Sequence, residues 1–304
     1  MQINTKNIVK VYDKGLKTEF NAIDDVTAEI KQGEFIAIIG QTGSGKTTFI
    51  EHLNSLLVPD KGQVEYFYRD LDKKTKEEIN VYKIVKKKFF QKIKKIKEIR
   101  RRVGIVFQFA EYQLFESTVE KDIMFGPLSM GVSKEEAQER AKKYIELVGL
   151  SEDFLKKNPL NLSGGQKRRV AIAGILSMEP DILIFDEPTA GLDPFGIHQT
   201  LETFDKIHKL GKTIIMVTHD LDNVLEWTKR VIVFKKGKII KDGPTYDVLE
   251  DVDFLAKNNM KPPKILAFRD TLKQKGIDLG KVKSISEMAN KITGYLKTKI
   301  KNKK

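Results

Sequence analysis

The sequence predicts an α/β fold, a largely parallel sheet covered by helices, with an antiparallel strand layer and a C-terminal helical extension. Short apolar, β-prone runs alternate with helical patterns through the middle of the chain. Two longer strand-like runs near the N-terminus have no helix between them, and apolar stripes at helical spacing recur after about residue 253.

Taken in order, INTKNIVKVY and FNAIDDVTAEI read as the antiparallel layer, and FIAII (35–39) as the first buried strand. TTFIEHLNSLL follows, with Phe49, Leu53 and Leu56 at helical spacing. In residues 68–102, Phe89, Ile93, Ile96 and Val103 recur at the same spacing and predict a basic amphipathic helix, packed on the body or laid on a membrane surface. VGIVF (103–107) is the second buried strand, and Ser133 with Glu136 predicts a capping box opening SKEEAQERAKKYIELV. QKRRVAIAGILSM reads as a helix, DILIF (181–185) as a strand, and Asp193 with Pro194 opens a helix that Gly211 closes. TIIMVT (213–218) is a strand and VIVFKKGKII a hairpin. The tail carries Ile265, Phe268 and Leu272 on one face, then Met288, Ile292 and Leu296 every four residues, and such stripes need a partner.

A chain of 304 residues at 40% hydrophobic composition can bury a full core and a small second domain. Zero cysteines exclude a disulfide framework and any cysteine-based zinc or redox site, which suits a reducing cytoplasm. Uncharged stretches such as Phe35 to Gly45 run 11 residues, short of the roughly 18 to 20 that span a bilayer, so the chain is not expected to cross a membrane by itself. The start, MQINTKNIVKVYDK, lacks a long apolar core, so export is not expected. Of the net charge of +13, residues 83–102 hold +10 and residues 254–304 hold +11, leaving −8 for the rest. Two readings stay open for these basic segments: solvated faces, or contact with anionic lipid or nucleic acid.

The chemistry begins at IGQTGSGKTTF (39–49), a G-x-x-x-x-G-K-[ST] loop between a buried strand and a helix. Its glycines let backbone N–H groups turn toward an anion, Lys46 neutralises charge, Thr47 can ligate Mg²⁺, and the helix N-terminus adds a favourable field. A nucleotide triphosphate is the implied ligand. Asp186 ends a strand where it can hold Mg²⁺ through water, and Glu187 beyond it can orient or deprotonate a water for attack on a γ-phosphate. LSGGQ (162–166) offers a second helix N-terminus suited to phosphate, in a chain with one lysine-bearing loop.

With GQTGSGKTT, VFQ, LSGGQ, ILIFDEP, AGLD and VTHD in this order, the chain up to about residue 250 resembles the ABC ATPases. The resemblance implies a P-loop fold with a parallel-sheet core, an antiparallel β layer and a helical subdomain at about 109–180 within a domain of residues 1–250. It implies a head-to-tail dimer in which each ATP lies between the lysine loop of one chain and the signature of the other. Carried over, Gly40, Gln41, Thr42, Gly43, Ser44, Gly45, Lys46, Thr47 and Thr48 hold phosphates; Thr47, Gln108 and Asp186 address Mg²⁺ or the attacking water; Glu187 is the base and His219 supports the γ-phosphate. Ser163, Gly165 and Gln166 would serve the partner's ATP, Asp193 would couple the two sites, and Tyr12, with Phe20 as the alternate, would stack on adenine.

VFQFAEYQLFESTVEKDIMFGP (106–127) and AIAGILSMEPDILIFDEPTAGLDP (171–194) further resemble the ATPases of energy-coupling factor (ECF) importers, the second of their two types. This implies a heterodimer with a related ATPase, a membrane-embedded coupling subunit received around Glu111 to Asp122, and a substrate-capture membrane protein for vitamins or transition-metal ions. It also implies a peripheral location at the cytoplasmic face of the cell membrane, and a tail (251–304) used in dimer contacts. The basic insertion at 68–102 departs from the family pattern and is where anionic lipid contact, through 83–102, would fall. A nucleic-acid-remodelling ATPase and a non-hydrolysing ATP-binding scaffold are the alternatives; the absence of long coiled coils disfavours the first, and intact Glu187 and His219 the second.

Overall fold

The computed structural model describes residues 1–72, 75, 77–87 and 96–301, with side chains through residue 297. Strands β1 (Gln2–Tyr12), β2 (Phe20–Ile30), β4 (Lys61–Leu71) and β5 (Glu78–Val85) form an antiparallel sheet ordered β2-β1-β4-β5, while β3 (Phe35–Ile39) leaves it for a second sheet. That second sheet, ordered β10-β9-β3-β8-β7-β6, adds β6 (Val103–Val106), β7 (Ile182–Asp186), β8 (Thr213–Val217), β9 (Arg230–Lys235) and β10 (Lys238–Pro244). Its pairings are parallel except the β9–β10 hairpin at one edge. Every residue of β3, β7 and β8 is buried, the reason these strands read as continuous apolar runs.

Alternation along these strands divides the interior in two. Ile36, Ile38, Ile182, Ile184, Ile215, Val217 and Ile232 pack with the antiparallel layer and with Phe49, Ile50 and Leu53 of α1 (Lys46–Leu53). Phe35, Ala37, Ile39, Leu183, Phe185, Ile214 and Met216 face the opposite way, into the core shared with most of the helices. Among the described residues these helices are α3 (Val119–Ser129), α4 (Lys134–Leu147), α5 (Gly164–Leu176), α6 (Pro194–Lys209), α7 (Leu221–Trp227), α8 (Thr245–Leu249), α9 (Val252–Lys257), α10 (Lys264–Gln274) and α11 (Ile285–Lys301), whereas α2 (Ile96–Arg102) buries Ile99 in the core beneath the antiparallel layer. Phe204 of α6 stacks on Phe185 of β7 with centroids 3.8 Å apart, fixing α6 on the strand that carries Asp186.

The tail packs on its own domain through one face. Leu255, Leu266, Leu279, Val282 and Met288 belong to the same core as α3 to α6, and the Lys264 N–H donates to Asp222 Oδ1 at 2.7 Å, fastening the start of α10 to α7. Of the predicted stripes, Ile265, Leu272, Met288 and Ile292 turn inward, whereas Phe268 and Leu296 stay about half exposed. No helix among the described residues is long and apolar enough to cross a membrane.

Three local expectations are corrected. Leu56 lies beyond the end of α1 and is exposed, because the helix stops at Leu53 with Asn54 as its C-cap. The basic segment is not one helix: residues 78–85 are strand β5, Val103 begins β6, and among the described residues of the segment only Ile96–Arg102 is helical, while Phe89 and Ile93 lie outside the described residues. Tertiary pairing explains this, since Lys83 bonds Glu98, Arg100 donates to Ser55 O, and Arg102 bridges Asp70 and Asp181 with its guanidinium 4.2 Å from the Tyr68 ring. At Ser133 only half the capping box forms: the hydroxyl accepts from Glu136 N–H, but the Glu136 carboxylate turns to Arg140.

Asp60 ties the end of β1 to the start of β4. It accepts from the Val11 N–H and lies within 4 Å of Lys10, Lys14 and Lys87, which hold its carboxyl well below the usual carboxylate range despite the opposing effect of burial. With the folded pKa depressed, its stabilisation is present above the unfolded value of about 4 and lost as pH falls toward the folded one. Asp60→Asn is expected to lower Tm at pH 7, and the gap from wild type to narrow steadily below about pH 4 in thermal melts.

Candidate functional site

The parallel strands aim their C-terminal ends at one edge, and the predicted residues gather there. Gly40 follows β3, Gln108 follows β6, Asp186 ends β7 and His219 follows β8. The loop from Gly40 to Gly45 is shaped by close backbone contact. Gly40 has φ +146° and a Cβ there would lie 2.3 Å from Phe234 O; Gly45 has φ +102° and its Cβ would lie 2.4 Å from Ala22 O. No side chain but hydrogen fits either place. The β9–β10 turn clamps the loop, with Gly237 N–H donating to Ser44 O at 2.9 Å and Gly237 O accepting from Asp24 N–H at 2.9 Å. Gly45 caps α1 with no side-chain hydrogen bond, which leaves the first N–H groups of that helix for an external acceptor.

These residues line a cavity of about 400 Å³ bounded by Tyr12, Phe20 and Ala22 on the strand layer, Thr42, Gly43 and Gly45 to Thr48 on the loop and helix, and Gln108, Asp186, Glu187 and His219 on the sheet edge. The Lys46 ammonium donates to Gly40 O at 2.8 Å and Gln41 O at 2.9 Å; burial pushes its pKa down, opposed by Glu187 and Asp186. Thr47 Oγ1 donates to Asp186 Oδ2 at 3.0 Å. Burial, with the neighbouring Glu187 charge, pushes the Asp186 carboxyl up, against the Thr47 hydrogen bond and Lys46. Glu187 sits at φ +48°, a region costly for a residue with a Cβ, and its carboxylate Oε1 lies 2.9 Å from His219 Nδ1. Tyr12 and Phe20 stack on each other at 5.7 Å, so the two alternative stackers are one aromatic platform.

Gly40, Gln41 and Ser44 line a smaller pocket of about 100 Å³ behind the loop, against Phe234, Lys235 and Asn258. Ser163, Gly165 and Gln166 do not line the Lys46 cavity. They form the start of α5, where Ser163 Oγ accepts from Gln166 N–H and Gln166 Oε1 accepts from Ser163 N–H, a full capping box. Sequence reasoning missed the support around the site: Ala22, the Phe234 to Gly237 turn, and Arg168 paired with Glu111. The double glycine and basic residues around these positions were visible, but no period in the sequence joins segments so far apart.

A family model described as ABC transporter matches residues 23–190. The chain is 59% identical to the energy-coupling factor transporter ATP-binding protein EcfA2 of Mycoplasma mobile over 305 residues, covering 100% of this chain and 99% of that one. It is 58% identical to EcfA2 of Mycoplasmopsis pulmonis, with 98% of each chain covered. The chain belongs to the energy-coupling factor branch of the ABC transporter ATPases. Among solved structures, it is similar to cbiO1 of Clostridium perfringens, part of the ABC transporter complex cbiONQ, at 33% identity and TM-score 0.68, covering 88% of this chain and 98% of that one. It is also similar to the ATP-binding cassette MJ0796 in a post-hydrolysis dimer bound to ADP and phosphate, at 28% identity and TM-score 0.66, covering 80% and 98%. The protein is thus an ATPase subunit of an ECF-type importer, and the cavity around Lys46 is its candidate ATP site.

Crowded Gly45 and open Gly43, both at positive φ, separate backbone strain from side-chain clash. Gly45→Ala is expected to weaken ATP binding at least about tenfold by titration calorimetry, since strain and clash add. Gly43→Ala, also at positive φ but with nothing within 4 Å of its Cβ, is expected to lose less.

Proposed function

We propose that this chain pairs with a second, related ATPase, binds ATP between its Lys46 loop and the partner's signature, and hydrolyses it to move a membrane-embedded coupling subunit that serves a substrate-capture protein for vitamins or transition-metal ions. The observation that carries the reading is the divided site: the phosphate loop, acid and base share one cavity, while the Ser163 helix start lies outside it. A single chain therefore presents half of what encloses a triphosphate.

The roles follow from the geometry. Backbone N–H groups of residues 43–48 and the Lys46 ammonium would take the β- and γ-phosphates, Lys46 exchanging two carbonyl acceptors for phosphate oxygens. The Thr47 hydroxyl and Asp186 carboxylate, hard oxygen donors already in contact, fit Mg²⁺, with Gln108 completing the donor set on the same cavity wall. Among the described residues no cluster of three or more His, Cys, Asp or Glu side chains could hold a metal by itself, so the donors here suit an ion that arrives with its nucleotide. Bound there, Mg²⁺ would supply charge neutralisation on the phosphates. Glu187 would hold the attacking water and take its proton, and His219, its side chain mostly exposed and hydrogen-bonded to Glu187, would steady that carboxylate and reach the γ-phosphate. Adenine would stack on Tyr12 and Phe20.

The membrane-facing surface in this reading is the groove of about 270 Å³ walled by Gln113, Leu114, Phe115, Asp122, Phe125 and Met178. Phe115 and Phe125 meet edge to face at 4.9 Å and, with Tyr112, stand exposed beside it. That surface would receive the coupling helices and place the chain peripherally at the cytoplasmic face of the membrane. The exposed Lys86 and Lys97 offer contact with anionic lipid from residues 83–102.

Glu187→Gln is expected to bind ATP and accumulate closed dimers on size-exclusion chromatography while phosphate release falls by about a hundredfold or more. Lys46→Ala is expected to lose ATP binding. Wild-type turnover in Glu187→Gln would sink the assignment of the base.

A further inference from the structure

Arg168, in the second turn of α5, is buried and makes four hydrogen bonds to two separate segments. Nε and Nη2 donate to Glu111 Oε2 at 3.1 Å and Oε1 at 2.8 Å, a bidentate pair whose side chains are 8% and 13% exposed. Nη1 donates to Pro188 O at 3.1 Å and Ala190 O at 2.9 Å. A lysine, one point charge on a flexible stem, cannot reproduce this fork.

The two segments matter because of what adjoins them. Pro188 and Ala190 lie one and three residues after Glu187, whose main chain is held at φ +48°, with its N–H on Val217 O at 2.8 Å and its carbonyl accepting from Ala190 N–H at 3.2 Å. Arg168 thus closes the turn that keeps Glu187 in a conformation it would otherwise leave. Glu111 lies in the short 3₁₀ turn Ala110–Gln113, entered through Phe109 at φ +59° immediately after Gln108, and that turn borders the Phe115–Phe125 groove. One guanidinium therefore spans the signature helix, the segment after Gln108 and the turn after Glu187.

We propose that Arg168 and Glu111 form a positioning pair that sets Glu187 for hydrolysis and passes displacement of residues 110–113 to it. This rests on the ATPase reading given above. The pair touches no phosphate, so its loss should act on turnover and spare nucleotide affinity, whereas a pair that only held the fold together would lower stability and affinity together. Removing the carboxylate charge leaves the guanidinium on its two carbonyls with one arm free, and the turn gains freedom.

The test uses the chain purified in complex with its native partner ATPase and membrane subunit. Steady-state ATP hydrolysis, KM for ATP and Tm are measured for wild type, Glu111→Gln, Arg168→Lys and the double variant, with the Glu187→Gln complex as the floor. Expected is a fall in the Glu187-dependent kcat of about tenfold to a hundredfold in each single variant, with KM within about twofold of wild type. The double variant should be no worse than the weaker single, since the two residues act as a unit. Glu111→Gln is close to isosteric and decides the matter if Arg168→Lys does not fold. Wild-type kcat in Glu111→Gln, or a kcat loss matched by a KM rise and a drop in Tm, overturns the pair's role. A wild-type complex with no ATP hydrolysis would overturn the ATPase reading itself, and the pair's role with it.

Discussion

The site depends on two places where backbone meets backbone with no room for a side chain. At Gly40 and Gly45 the neighbouring carbonyls of Phe234 and Ala22 lie where a Cβ would have to be. These contacts press the phosphate loop between the β9–β10 turn and the antiparallel layer, so its main chain is shaped by the fold itself. The loop need not be ordered at the moment of binding, and the entropic cost of shaping it is met during folding. The same contacts bring together parts distant in sequence: strand β2 beside the loop, and strand β9 behind it.

Electrostatics at the site are held in tension. Asp186 and Glu187 are adjacent acids at the end of a buried strand, and burial together with mutual repulsion raises the Asp186 carboxyl while Lys46 and Thr47 oppose the rise. Lys46 is itself desolvated and turned onto main-chain carbonyls. A triphosphate with its counter-ion would bring its own charges among these groups, at the reacting end of the nucleotide. Strain at Glu187 belongs to the same economy: a left-handed main chain is tolerated where the Val217 carbonyl and Arg168 over-determine it.

Association also enters the design through what one chain lacks. The Ser163 helix start bonds the Ser163 and Gln166 N–H groups in a reciprocal capping box, so it is fixed within the single chain, and it stands apart from the Lys46 cavity. The C-terminal segment buries Leu266, Val282 and Met288 on the parent core and leaves Phe268 and Leu296 half exposed. Tail and body are therefore one packed unit, with apolar surface remaining on the outside of that unit.

Much of this was legible in the residues. Five-residue apolar runs such as FIAII are diagnostic because strands buried on both faces exclude polar side chains, and the Gly-x-x-x-x-Gly-Lys-Thr spacing is diagnostic because few other residues tolerate that backbone. Among the buried parallel strands the ends shift by at most one residue, β6 and β8 stopping at Val106 and Val217 and β7 running from Ile182 to Asp186, whereas the hairpin strand β10 continues to Pro244, beyond the apolar pattern. In the segment before β6, residues 78–85 pair with β4 as a strand, Ile96 lies in a helix as its spacing predicts, and Val103 leaves that helix for β6, where pairing with β7 overrides the helical spacing. Local pattern alone thus determined the phosphate loop, the acidic strand end, the signature helix and the α/β layering, since each is set by near neighbours in the chain. Only the tertiary structure decided the stacked Tyr12–Phe20 platform, the Gly237 clamp, the inward face of the tail and the Arg168 junction, because these join residues that nothing but the folded chain brings within contact.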